Sequence, residues 1–201
     1  AYSTLGHFDD PILNTMVGWD DVELASIIFH ELTHQLLYVP DDSSFNEALA
    51  MTVEEEGVRR WLHAHGRDRE LAHYLVQQER YHEVVDLLST TRAELRAVYA
   101  SGLTPEAMLR RKRAAFAALR ASYAELKAGW NGYSTFDAWF DGNLNNARLA
   151  SVATYFSCMP GFKRELQAVH GDLGAFDRRA RELAKMDQRR RDALLCGPAA
   201  R

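Results

Sequence analysis

The sequence predicts a mainly α-helical protein, and three observations predict it. Apolar residues recur every three or four positions through nearly the whole chain, polar breaks carry helix caps and stops, and only the first eight residues alternate as a strand would. At 201 residues and 47% hydrophobic composition the chain can bury one sizeable core. No repeat or long flexible linker marks a second domain, so residues 1–201 read as a single domain.

The elements follow in order. Tyr2 and Thr4, with Leu5 or Phe8, alternate loosely before the Asp9-Asp10-Pro11 turn and read as a short edge strand. From Asp21 to Tyr38 the residues Val22, Leu24, Ile27, Ile28, Leu32, Leu36 and Leu37 keep helical spacing, with Asp20 or Asp21 to cap the start and Pro40 to stop it. Asp41-Asp42-Ser43-Ser44 turns the chain, and Phe45, Leu49, Val53, Val58, Trp61 and Leu62 mark a second helix laid back across the first. Residues 68–100 form one long helix, or two broken near Ser89-Thr90-Thr91. Thr104-Pro105-Glu106 starts the next with a cap and an N1 proline, and the stripe Met108, Leu109, Phe116, Leu119, Tyr123, Leu126 carries it to Gly129, so these two make a long helical hairpin. Asn131-Gly132-Tyr133-Ser134 reads as a loop, Leu144 to Cys158 as a helix and Pro160-Gly161 as a break, before two short helices around 162–169 and 172–186.

The chemistry sits on the first helix. His30-Glu31-Leu32-Thr33-His34 places two imidazoles four residues apart, one above the other on the same helix face, where both can reach one ion. Glu31 lies about 100° round the helix, close enough to touch a water beside the ion, which suits a general base. A catalytic zinc takes three protein ligands and keeps one position open. Glu47 on the second helix is the chosen third ligand, with Glu54, Glu55, Glu56, His63 and His65 as competitors. Glu54 lies two turns further on, roughly 10 Å along the axis, and reads as a group behind the ligands, a substrate-amine acceptor or a surface acid.

The run Ile28-Phe29-His30-Glu31-Leu32-Thr33-His34-Gln35-Leu36-Leu37-Tyr38-Val39, then Asp42, Phe45-Asn46-Glu47-Ala48-Leu49-Ala50, Val53-Glu54, Gly57 and Arg60-Trp61-Leu62, resembles the bacterial putative aminopeptidase family. The opening Tyr2 to Pro11 and the later Leu144-Asn145-Asn146-Ala147-Arg148-Leu149 and Val152-Ala153-Thr154-Tyr155 resemble blocks of that family too. More broadly, His-Glu-x-x-His followed by Asn-Glu-Ala is similar to the gluzincins. That resemblance implies a zincin-like catalytic domain, Zn2+ as cofactor and Glu47 as third ligand. Thermolysin-like enzymes place an aspartate four residues after the ligand glutamate to orient a histidine, but here that position is Met51, so another group, Glu54 or a backbone carbonyl near Asn46, must hold His30. The resemblance also implies that this chain is the C-terminal part of a longer one, some members carrying an export or lipoprotein-type signal, hence a bacterial cell-envelope or periplasmic location.

A hydrolase of this kind needs a donor for the oxyanion, and Tyr155, Tyr133 and Arg148 are the candidates, Arg148 and Tyr155 sharing a helix face. Glu54, Asn146 and Arg148 are the substrate-binding candidates, and Glu54, Asp9 and Asp10 could hold a free α-amine. Histidines 7, 73, 82 and 170 have no ligand spacing.

Composition excludes other classes. A formal net charge of −4 argues against general nucleic-acid binding, and the basic clusters at 110–113, 178–181 and 189–191 read as solvated helix faces. No run of eighteen apolar residues exists to span a membrane. Cys158 and Cys196 are too few for a disulfide framework and either pair or stay free. Two functions from different classes result: a zinc aminopeptidase acting on peptides, with an endopeptidase as its variant, or a degenerate zincin module that binds metal and peptide without cleaving.

Overall fold

The computed structural model describes residue 16 and residues 18–142 and 144–196, apart from the side chains of 152–155. Among the described residues the fold is all-helical, with nine helices and no strand. They are α1 (Asp21–Leu36), α2 (Ser43–Ala64), α3 (Asp68–Ala100), α4 (Pro105–Ala128), α5 (Asp137–Asp141), α6 (Asn146–Phe156), α7 (Met159–Ala168), α8 (Leu173–Ala184) and α9 (Gln188–Leu195). The edge strand expected at residues 2–8 lies outside the described residues. The chain divides into two compact units, Ala1–Leu75 with Thr154–Arg201, and Val76–Ala153.

The first unit is built on α1 and α2. The Asp20 carboxylate caps α1 by accepting from the Glu23 amide at 2.8 Å, and the Asp42 carboxylate caps α2 by accepting from the Phe45 amide at 3.1 Å. Between the caps Asp41 takes the left-handed backbone at φ 61°, which a short polar side chain tolerates. The helices then run antiparallel, with Arg67 beyond α2 pairing with Asp21 at 2.6 Å and Phe29 lying against Gly57. A Cβ on Gly57 would come within 2.8 Å of the Phe29 ring, so glycine lets the two helices approach. Val22, Ala25 and Phe29 pack there against Val58, Leu62 and Tyr74. The apolar stripe read for α1 thus divides. Ile28, Leu32 and Leu36 are 41, 48 and 63% exposed among the described residues, because α2 covers the face four residues wide that holds Phe29 and His30.

Aromatic contacts carry the packing onward. The Phe45 ring meets Phe162 of α7 edge-on at 5.0 Å, and Phe162 meets Phe176 of α8 at 6.1 Å. Pro160 does not break the chain as expected but lies in the first turn of α7, where its missing N–H has no helical acceptor to lose. The short α9, unread in the sequence because Gln188-Arg189-Arg190-Arg191 has no apolar period, is capped by Asp187 and sends Arg191 inward. Arg191 donates twice to one Asp42 oxygen, at 2.7 and 3.0 Å, a pair 8 and 2% exposed. Cys158 before α7 and Cys196 after α9 form a disulfide.

The second unit holds the expected hairpin on an aromatic core. Val84, Leu88 and Leu95 of α3 share it with Ala115, Phe116, Leu119 and Tyr123 of α4, and Trp130, Phe140, Leu144 and Leu149 complete it. Tyr123 and Phe140 stack at 3.8 Å and 3°. The helix runs unbroken through Ser89-Thr90-Thr91, and the Thr91 hydroxyl satisfies itself on the Leu87 carbonyl at 3.0 Å.

Candidate metal centre

The two helices of the first unit bring His30, His34 and Glu47 together, and their ligand atoms lie within 4.8 Å of one another. Four-residue spacing sets the imidazoles edge to face at 4.9 Å. Both Nε2 atoms face the same Glu47 oxygen, at 3.2 Å from His30 and 3.9 Å from His34. Ligands 2.0–2.1 Å from a tetrahedral ion stand about 3.3 Å apart. The group can therefore hold a metal ion with small side-chain adjustments, offering it two nitrogens and one carboxylate oxygen.

Asn46 places Glu47. Its buried amide accepts from the Val39 amide and donates to the Val39 carbonyl, both at 2.8 Å, so the end of α1's exit segment is clamped to the first turn of α2. Nothing in a helical pattern announces this clamp, although an asparagine at an otherwise apolar, buried helix position is the signal that could have found it.

Electrostatics fit a cation. Burial works against charge on His30, but its hydrogen bonds to the Glu47 and Glu54 carboxylates outweigh it and push the imidazole up to about 9. Burial and then the charge on His30 hold His34 below its usual value.

Beside this group opens a cavity of about 610 Å³, walled by Trp19, Glu23, Ser26, Ile27, His30, Glu31 and Glu54. Glu31 stands on that wall, one residue from the first imidazole. Glu54 is drawn to the site as well. Its Oε2 lies 2.9 Å from His30 Nδ1, and its Oε1 accepts from the Ser26 hydroxyl at 2.5 Å, so both oxygens are engaged. Two turns of α2 separate Glu54 from Glu47, and the His30 ring bridges them with one nitrogen on each carboxylate. Among the competitors for the third ligand, Glu55 pairs with Lys163 at 2.6 Å and Glu56 with Arg59 and Arg60 at 2.7 and 2.6 Å. His65 Nδ1 faces the Trp61 carbonyl at 2.8 Å.

The other expected site residues belong to the second unit or escape description. Asn146 exchanges hydrogen bonds with the Tyr99 hydroxyl at 3.2 and 3.1 Å. Arg148 donates to the Trp139 carbonyl at 2.8 Å and lies over the Trp139 ring. Tyr133 receives the Arg80 guanidinium over its ring at 4.6 Å. The Tyr155 side chain and Asp9 and Asp10 lie outside the described residues. Of the basic clusters, Arg179 pairs with Glu165, Arg181 with Asp177 and Arg191 with Asp42. None of the described helices is long and apolar enough to cross a membrane.

No curated protein and no solved structure matches this chain. A family model does, over residues 1–195, and it covers both histidines, Glu31, Glu47, Glu54 and the Asn146–Arg148 block. With that match over nearly its whole length, the chain belongs to the family described as "Putative aminopeptidase".

Proposed function

We propose that the protein is a zinc-dependent aminopeptidase in which His30, His34 and Glu47 hold the ion and Glu31 is the general base. The observation that carries this reading is the convergence of three ligand atoms within 4.8 Å beside a cavity whose wall includes Glu31. Bound zinc supplies Lewis acidity there, polarising a carbonyl and acidifying water. Glu31, on the wall of the cavity that His30 also lines, would accept a proton from the attacking water and return it to the leaving amine. Family membership supports a peptide substrate with a free N-terminus. The Cys158–Cys196 bond supports an oxidising compartment such as the bacterial cell envelope.

The test is metal analysis coupled to turnover. Purified protein should carry one zinc per chain, hydrolyse amino-acid arylamides, lose that activity to a chelator and regain it with zinc. Peptides with an acetylated N-terminus should resist. Activity unaffected by complete removal of metal would overturn the reading, and cleavage of the acetylated peptides would make it an endopeptidase.

A further inference from the structure

We propose that Ser26 is a positioning residue, fixing the Glu54 carboxylate and through it the His30 ring. The inference rests on the metal-centre reading above and adds a residue to it that no sequence motif singles out. Thr33, Thr52 and Thr91 each donate to the carbonyl four residues earlier, at 2.7, 2.7 and 3.0 Å, the ordinary way for a mid-helix hydroxyl to satisfy itself. Ser26 departs from this habit. It sends its proton across to Glu54 Oε1 of the neighbouring helix at 2.5 Å.

The geometry gives that departure a purpose. Ser26 and His30 are four residues apart on α1 and therefore share a face. Glu54 enters between them from α2, with one oxygen on each. A glutamate held at a single oxygen can still swing about its terminal bonds, whereas a second restraint on the other oxygen fixes the carboxylate plane, and with it the direction from which Nδ1 is held. A ligating histidine needs that hold, because the partner of its second nitrogen sets both tautomer and ring orientation. Here the need is concentrated on one ring: His34 Nδ1 is buried with no hydrogen-bond partner among the described residues. Met51, one turn beyond Glu47, carries no acid to substitute for Glu54.

Zinc affinity by chelator competition and the visible absorption of the Co2+-loaded protein test this on Ser26→Ala, Ser26→Thr, Glu54→Ala and the double variant Ser26→Ala/Glu54→Ala. Partners behind metal ligands are worth about 10- to 100-fold in affinity. Glu54→Ala should lose that much, and Ser26→Ala, acting one bond further out, roughly 3- to 10-fold with an altered cobalt spectrum. Ser26→Thr should restore both, and the double variant should bind no more weakly than Glu54→Ala alone. Wild-type affinity and spectrum in Ser26→Ala, or a loss that adds in full to that of Glu54→Ala, would overturn the proposal. Melting of the metal-free proteins is the control, since alanine is the better helix former and should not lower it. A loss that tracks lower metal-free melting and is not rescued by threonine would likewise overturn it. Wild-type protein that takes up no zinc removes the metal-centre reading and this one with it, whereas a zinc-loaded, active wild type beside an unchanged Ser26→Ala removes only this one.

Discussion

The two units bury different things. Among the described residues, Thr33, His34, Asp42, Asn46, Thr52 and Arg191 are buried polar groups of the first unit, while Thr91 alone is one in the second. The second unit closes instead on Trp130, Tyr123, Phe140 and the aliphatic faces of α3 and α4. Buried polar groups contribute to a fold only when satisfied, so the first unit depends on the accuracy of a few hydrogen bonds and the second on packed volume. Two of the buried polar groups of the first unit belong to the candidate site, His34 as a member of the His30–His34–Glu47 group and Asn46 as the clamp on the turn of α2 that carries Glu47.

That contrast can be broken in order of expected effect. Glu31→Gln should lower kcat by about 10²- to 10⁴-fold while zinc content stays at the wild-type level, and steady-state kinetics beside metal analysis will read it. Asp42→Ala leaves Arg191 buried without its carboxylate and should cost about 3–5 kcal/mol in urea melts. It should also weaken zinc binding, since Asp42 caps the helix that bears Glu47. Phe140→Ala, which empties the space stacked on Tyr123, should cost a similar 3–5 kcal/mol yet leave zinc affinity unchanged. A fall in affinity there would erase the distinction between the units. Gly57→Ala should cost about 1–3 kcal/mol by forcing Phe29 away from α2, with a measurable loss of zinc affinity because α1 and α2 share that contact.

The smallest effect is electrostatic. Hydrogen bonds from Lys127 and Tyr123 hold the Asp137 carboxyl below the usual aspartate range. A depressed carboxyl stabilises above its unfolded pKa and loses that contribution as pH falls through its folded one. Wild type should therefore melt above Asp137→Asn at neutral pH, and the gap should close on acidification below the ordinary aspartate range. A gap that persists there would assign the effect to packing.

What the sequence made legible followed from period and spacing. The closeness of the histidine pair and the partnership of α1 with α2 were readable because a four-residue repeat fixes a helix face whatever surrounds it. The long hairpin was readable from its caps and its apolar stripes. Groups whose role depends on meeting a distant residue were not. Asn46 acts through the backbone of Val39 across a turn, Ser26 through a carboxylate 28 residues away, and Arg191 through one 149 residues away. In each case the residue type is ordinary for a helix and only the partner gives it meaning. Pro160 was misread because a proline that opens a helix and one that ends it look alike until the first turn is seen.

The Asp42–Arg191 pair bears on how the protein comes into being. The elbow that aims Glu47 receives its counter-charge from α9, 149 residues further along, so a polypeptide emerging from the ribosome must carry that carboxylate in water until α9 has been made. Burial of the elbow is thereby tied to the making of α9, and a chain cut short before residue 191 lacks the guanidinium that lets the elbow go dry.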